Sequence, residues 1–306
     1  MQPKKLKLYI FLIMIFLIPL IISFIPQKTD QKNNYTTEEF RSNKKLSINE
    51  IVNRGVSLND INLSGLRINE VYKILYSLKG KKNRESQNAF IFNNKIFSEK
   101  KGRSINIKKS INKILTANIN QQINLIYNPI APTITTDIIL NHKIFKFKKY
   151  QIKAKLLSHY ATCLINNESN RRNNINISLN KIKYYYLKPS AEFSFNQVIG
   201  IPTINDGYKA APIIEAGKFI PKVGGGICQV SSTLYNAVKK SNLKIVERHH
   251  HSKSVSYVPS GQDATIVPQK KDFRFVNTLK NPIIIFTDLI DKYVVVYIIE
   301  EISKIN

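Results

Sequence analysis

Residues 8–26, "LYIFLIMIFLIPLIISFIP", limit the chain more than any other stretch, because they carry no charge and run about as long as a bilayer core is thick. In that solvent a backbone must satisfy its own hydrogen bonds, so the run is expected to be a helix, kinked at Pro19. Lys4, Lys5 and Lys7 precede it, and positive residues stay on the cytoplasmic side. The sequence around "IISFIPQ" lacks the small residues of a cleavage site, which favours an uncleaved anchor over a removed signal peptide. Residues 1–27 are therefore read as a cytoplasmic tip and signal-anchor helix. The expected location is the cell membrane, single-pass, with the later domains outside the cytoplasm.

Residues 28–49 are polar without apolar period and read as a flexible stalk. The formal charge of the chain is +27. On an exported protein that charge argues against nucleic acid as a partner and towards the membrane surface and anionic wall polymers. The lysines are scattered, not striped along one helix face, so compositional bias accounts for the charge as well. Cys163 and Cys228 are the two cysteines of the chain, and an oxidising compartment permits them to pair. Their separation in space is open at this stage, and a pair would rule out a resting nucleophile at Cys228.

The remainder is expected to be α+β in two domains, residues 50–150 and 151–306, the second with a β-rich end. From Ile51 the pattern reads strand, turn, strand, then a helix with Ile68, Val71, Ile74, Leu75 and Leu78 on one face. "AFIFNNKIF" is a hairpin turning at Asn93 and Asn94, and Ile107, Ile111, Ile114 and Leu115 mark a second helix. Beyond residue 150 the reading is a strand, a polar loop, a helix over 175–182 and a strand at "AEFSFN". After a helix following Cys228, "KIVERHHHSKSVSYV", "ATIV", "FRFVN" and "PIIIFTDLIDKYVVVYIIEE" all read as β, the last as a hairpin.

The chemistry concentrates at "GGGICQVSSTLYNAV", residues 224–238. Val230, Leu234, Ala237 and Val238 give a one-sided apolar stripe, which places Cys228 at a helix start, where the dipole favours a thiolate. Glycines before it can offer backbone N–H groups to an oxyanion, or can simply make a tight turn. On a strand through "ERHHHS", Glu247, His249 and His251 share one face, so either histidine can serve as base, and Asp263 can orient it. Three readings follow: a Cys228 acyl-transfer site, a small residue packed in a core, and a zinc site built from Cys228, His249 and His251. No carboxylate fourth ligand is evident, so neither metal nor other cofactor is expected. His142 and His159 read as surface or satisfied core residues, and "KYYY" as strand packing.

The run from about Ser158 to Ile285 resembles the VanW family, through "PSAEFSFNQVIG", "DGYKAAPIIEAGKFIPKVGGGICQVSSTLYNAV", "KIVERHHHSKSVSYVPSGQDATIV" and "DFRFVNTLKNPIII". Upstream, "GVSLNDINLSGLRINEVYKIL" and "NPIAPTITTDI" resemble more loosely the peptidoglycan-binding domain that commonly precedes VanW domains, with Glu70 alone in register with its acidic helix start. The resemblance implies an envelope protein of Gram-positive-type bacteria, in a family some of whose members accompany vancomycin resistance. Family positions here include Gly224, Gly225, Gly226, Gln229, Ser231, Arg248 and Tyr257, read as substrate-binding, beside Cys228, His249, His251 and Asp263, read as catalytic. The expected function is binding or processing of peptidoglycan or its precursors, as a cysteine-dependent amidase, peptidase or transpeptidase. The alternative is a non-catalytic wall-binding accessory module. Cys163 stands where a Ser or Thr is usual in the family, so a disulfide to Cys228 would be particular to this chain.

Overall fold

The computed structural model describes residues 50–164, 168–215 and 218–305. The expected anchor and stalk, residues 1–49, lie outside them. Among the described residues no helix is long and apolar enough to cross a membrane.

The architecture is mixed α+β, with six helices among the described residues. In chain order the first strands and helices are β1 (Ser57–Leu58), β2 (Ile61–Asn62), α1 (Ile68–Lys82), β3 (Phe90–Phe92), β4 (Lys95–Phe97), β5 (Gly102–Ile105), α2 (Ile107–Leu115), β6 (Gln122–Ile123), β7 (Tyr127–Ile130), α3 (Thr136–Asn141) and β8 (Phe145–Phe147). The rest are β9 (Ile152–Cys163), α4 (Ser169–Ile182), β10 (Tyr185–Leu187), β11 (Glu192–Ser194), α5 (Phe195–Ile199), β12 (Ala210–Glu215), β13 (Lys218–Val223), α6 (Ile227–Lys240), β14 (Lys244–Glu247), β15 (Arg274–Val276), β16 (Ile283–Ile290) and β17 (Tyr293–Lys304).

A five-stranded antiparallel sheet, ordered β10-β16-β17-β9-β8, organises the fold. Its central hairpin β16/β17 is nearly unbroken apolar sequence, and the two-residue period of a strand divides that run between two faces. Ile283, Ile285, Val294, Val296 and Ile298 enter one core with α4 and α6. Ile284, Phe286, Val295, Tyr297 and Ile299 enter a second with Phe90, Ile134, Ile138 and Phe147. Both faces are covered, which is why these strands read as continuous rather than alternating hydrophobicity.

The boundary expected at residue 150/151 falls in the turn between β8 and β9, so sequence on its two sides contributes to one sheet and one core. Residues 51–306 cluster as a single unit. Polar links cross the same contact: the Tyr297 hydroxyl donates to the Ala89 carbonyl at 2.8 Å, and Asn88 Nδ2 donates to Asp288 at 3.0 Å.

The expected hairpin at 90–97 forms, with Asn93 and Asn94 at positive φ. α1 buries Ile68, Val71 and Leu75, and α2 buries Ile111 and Ile114, on the stripes read from sequence. Four elements differ from expectation, one of them "ATIV" at 264–267, which forms only isolated bridges at Thr265 and Val267. α4 starts at Ser169, six residues before the apolar stripe begins. The strand at "AEFSFN" stops at Ser194, whose hydroxyl accepts from the Gln197 N–H and caps α5. The strand expected through residues 244–258 ends at Glu247, leaving only a bridge between His249 and Thr265. Beyond that point Asp263 draws the chain inward and alternation is lost.

Candidate functional site: a cysteine, histidine and aspartate at the start of a buried helix

α6 packs on the sheet through β9, where the Ser158 hydroxyl donates to the Ala237 carbonyl at 2.6 Å and Thr162 meets Thr233 at 2.8 Å. Residues 229–238 are all buried. The helix is therefore enclosed on every side, beyond the one apolar stripe of its sequence, and its polar side chains bond inward.

The chain enters α6 through Gly224, Gly225 and Gly226. Gly224 and Gly226 have φ of +92° and +109°, a region glycine adopts without strain. At Gly225 a Cβ would stand 2.4 Å from the Ala211 carbonyl oxygen, and at Gly226 it would stand 3.1 Å from Arg171 Cγ and Ile175 Cγ1. Gly224 and Gly225 are buried, and their N–H groups donate to the carbonyls of Lys209 and Lys222. These two glycines serve close packing against β12 and β13 rather than an open backbone facing substrate.

Cys228 is the second residue of α6. Its sulfur lies 3.8 Å from Thr265 Oγ1 and from the Ile266 carbonyl, and it hydrogen-bonds the His251 ring. The other side of that ring is fixed: His251 Nδ1 is 2.5 Å from Asp263 Oδ2, which also accepts the His251 backbone N–H at 2.7 Å. With Nδ1 occupied, Nε2 is the nitrogen left for the sulfur. Both cysteines are free thiols, so the disulfide left open by the sequence is not formed.

The charges reinforce this geometry. Burial works against the Cys228 thiolate, but the hydrogen bond and charge of His251 outweigh it and bring the thiol below its ordinary pKa. His251 moves the opposite way: burial lowers it, and Cys228 and Asp263 together raise it. Asp263 is buried, yet the His251 backbone and ring and the His250 ring donate to it and bring its pKa down to about 2. The result favours a thiolate–imidazolium pair backed by a carboxylate.

Of the two histidines left open by strand alternation, the structure brings His251 to the sulfur. His249 turns to Glu247, with Nε2 2.9 Å from Oε1. The three ligands considered for zinc therefore do not converge, and among the described residues no group of three or more His, Cys, Asp or Glu side chains is placed to hold a metal ion.

The remaining expected contact residues mostly hold the frame. Gln229 accepts from Arg171 Nη2 at 2.6 Å and donates to Thr162 Oγ1 at 3.0 Å and the Cys163 carbonyl at 3.1 Å. Ser231 donates to the Ala264 carbonyl at 2.5 Å. Arg248 lies over the Tyr235 ring and clamps the loop before Asp263, donating to the carbonyls of Asp263 at 2.7 Å and Gly261 at 2.6 Å. Tyr257 has its hydroxyl pKa raised, first by burial and then by the charge of Cys228. A cleft of about 180 Å³ beside the triad is lined by His250, His251, Pro259, Gly261 and Asp263. A larger groove of about 680 Å³, along Glu192, Glu247, Lys271 and Arg274, includes neither Cys228 nor His251.

Sequence reasoning missed Arg171, within a polar run read as loop. Its one signal was position: it lies four residues before Ile175, on the face of α4 that meets Gly226.

Residues 170–299 match the family described as VanW like protein. An uncharacterized protein of Bacillus subtilis (strain 168), YoaR, is 48% identical over 134 residues, which span 44% of this chain and 44% of that protein. The alignment thus covers less than half of the relative. No solved structure matches the chain. Residues 170–299, which carry Cys228, His251 and Asp263, are thus a VanW-like domain.

Proposed function

We propose that this is a cell-envelope protein whose VanW domain transfers acyl groups of peptidoglycan stem peptides through a Cys228 thioester. One observation carries the reading: a single imidazole, His251, is hydrogen-bonded on one side to Cys228 and on the other to buried Asp263. That is the arrangement of an activated nucleophile, a base and its orienter. The Cys228 thiolate attacks an amide carbonyl, and the C–N bond breaks as imidazolium His251 protonates the leaving amine. A thioester remains. Water or a second amine then loses a proton to His251, attacks the thioester, and returns the thiolate. Asp263 keeps the ring in the required tautomer throughout.

The wall as substrate rests on the family, on the upstream likeness to a peptidoglycan-binding domain, and on a charge of +27 suited to anionic wall polymers. Membrane anchoring through residues 1–27 belongs to the same reading. The test incubates the full chain with purified muropeptides and follows their masses. Hydrolysis adds water and frees an amine, whereas transfer yields cross-linked products. Cys228→Ala is expected to abolish either change, and His251→Ala to slow it by about 10²–10⁴-fold. His249→Ala is expected to leave it near wild type. Fragments retained by the protein with unchanged mass would replace this reading with a non-catalytic wall-binding module.

A further inference from the structure

A guanidinium with no ion-paired carboxylate among the described residues stands next to the residue that follows the thiol. Arg171 projects from the first turn of α4, its stem packed beneath Gly226 and its Nη2 2.6 Å from the neutral amide of Gln229, the residue after Cys228. Among the described residues Gln229 is its hydrogen-bond partner, and no carboxylate forms an ion pair with it. It is only partly exposed, and its charge interacts with Tyr257, Cys228 and Glu168, the exposed N-cap of α4. Asp263, the carboxylate of the triad, is already committed to His251, His250 and Arg248.

Burying a cation beside neutral partners is unfavourable unless an anion completes the site. A thiolate paired with imidazolium is neutral as a unit, and Glu168, exposed at the helix end, makes no ion pair with Arg171, so the guanidinium lacks a bonded anion. A guanidinium has five donors in a planar fork matched to carboxylate, and Gln229 takes one of them. We infer that Arg171 is the anion-recognising residue of this site and selects ligands that bring a free carboxylate next to the carbon Cys228 attacks. The inference rests on Cys228 being the reactive group, and it narrows the acyl donors to those carrying a carboxylate beside the bond to be broken.

Two alkylating reagents of nearly equal size test it on the full chain. Iodoacetate carries a carboxylate one carbon from its iodide, and iodoacetamide carries a neutral amide. With either, the thiolate forms a C–S bond and iodide leaves. Modification of Cys228 is followed by peptide mass, and the ratio of the two rates is compared among wild type, Arg171→Gln and Arg171→Lys. The expected result is a ratio favouring iodoacetate in wild type, falling about 10-fold in Arg171→Gln and partly restored in Arg171→Lys. Circular dichroism and the urea midpoint of each variant identify a folding defect, and the partial return in Arg171→Lys separates loss of charge from a moved Gln229. If both reagents label Cys228 and the ratio is indifferent to Arg171, the inference is overturned while the reactive thiol stands. If neither reagent labels the folded protein, the acyl-transfer reading fails and the inference with it.

Discussion

At the scale of single residues, the site turns on which histidine reaches Cys228. Strand alternation put His249 and His251 on one face and had no means of choosing between them. The choice is made by Asp263, which binds both the ring and the backbone N–H of His251 and so fixes where that residue can point. Cys228 and Asp263 were legible from sequence because helix start and strand order placed them; His251 was legible only as one of a pair. The consequence is measurable. Burial favours the neutral thiol, and His251 reverses that preference. Alkylation of Cys228 by iodoacetamide is therefore expected to titrate below the ordinary thiol range in wild type. In His251→Ala burial is opposed only by the weaker contacts with Ile266 and Thr265, and the apparent pKa should rise. In Asp263→Asn the ring loses its supporting charge, and the rise should be smaller. A profile that His251→Ala leaves in place would sink the pairing.

At the scale of elements, the helices at 68–82 and 107–115 and the hairpin at 90–97 were readable because each encloses its own signal, an apolar stripe or an Asn-Asn turn. The segment after Glu247 was not readable. Its conformation is set by Arg248, His250 and His251 gathering on Asp263, a contact across more than ten residues that no local period announces. The hairpin β3/β4 shows a different long-range tie, because the Ile91 N–H donates to His159 Nε2 on β9 at 3.1 Å. A ring that accepts there must be neutral. Burial, helped by nearby Lys240, lowers His159 from 6.5 to about 4. The unfolded chain then binds a proton that the folded chain refuses, so this contribution is complete above pH 6.5 and is lost as pH falls toward 4. At most about 3 kcal/mol is at stake. Urea midpoints at pH 7.5 and 5 should show the loss in wild type. His159→Gln keeps an acceptor without the titration and should flatten it; an equal loss in that variant would assign the pH dependence elsewhere.

At the scale of the whole molecule, the central hairpin of the five-stranded antiparallel sheet is covered on both faces. α4 and α6 cover one side of β16 and β17, while residues from β3, α3 and the segment before it cover the other. The site depends on that arrangement indirectly, because α6 carries Cys228 and is docked on β9, whose far side faces the second core. A chain of residues 151–306 would keep every member of the triad, but would leave Ile284, Phe286, Val295, Tyr297 and Ile299 without most of their cover. It would also strand the Tyr297 hydroxyl, whose partner is the Ala89 carbonyl, and cost Asp288 its Asn88 hydrogen bond, leaving it Lys183. Each such side chain is worth about 1.5–3 kcal/mol when buried, so the loss approaches roughly 10 kcal/mol, comparable with the total stability of an ordinary domain. The expected outcome is a single unfolding transition for residues 51–306, against a 151–306 fragment that binds a hydrophobic dye and melts without cooperativity. A fragment that unfolds sharply at a similar temperature would show instead that the VanW domain carries its own complete core, and that the upstream residues only rest on it.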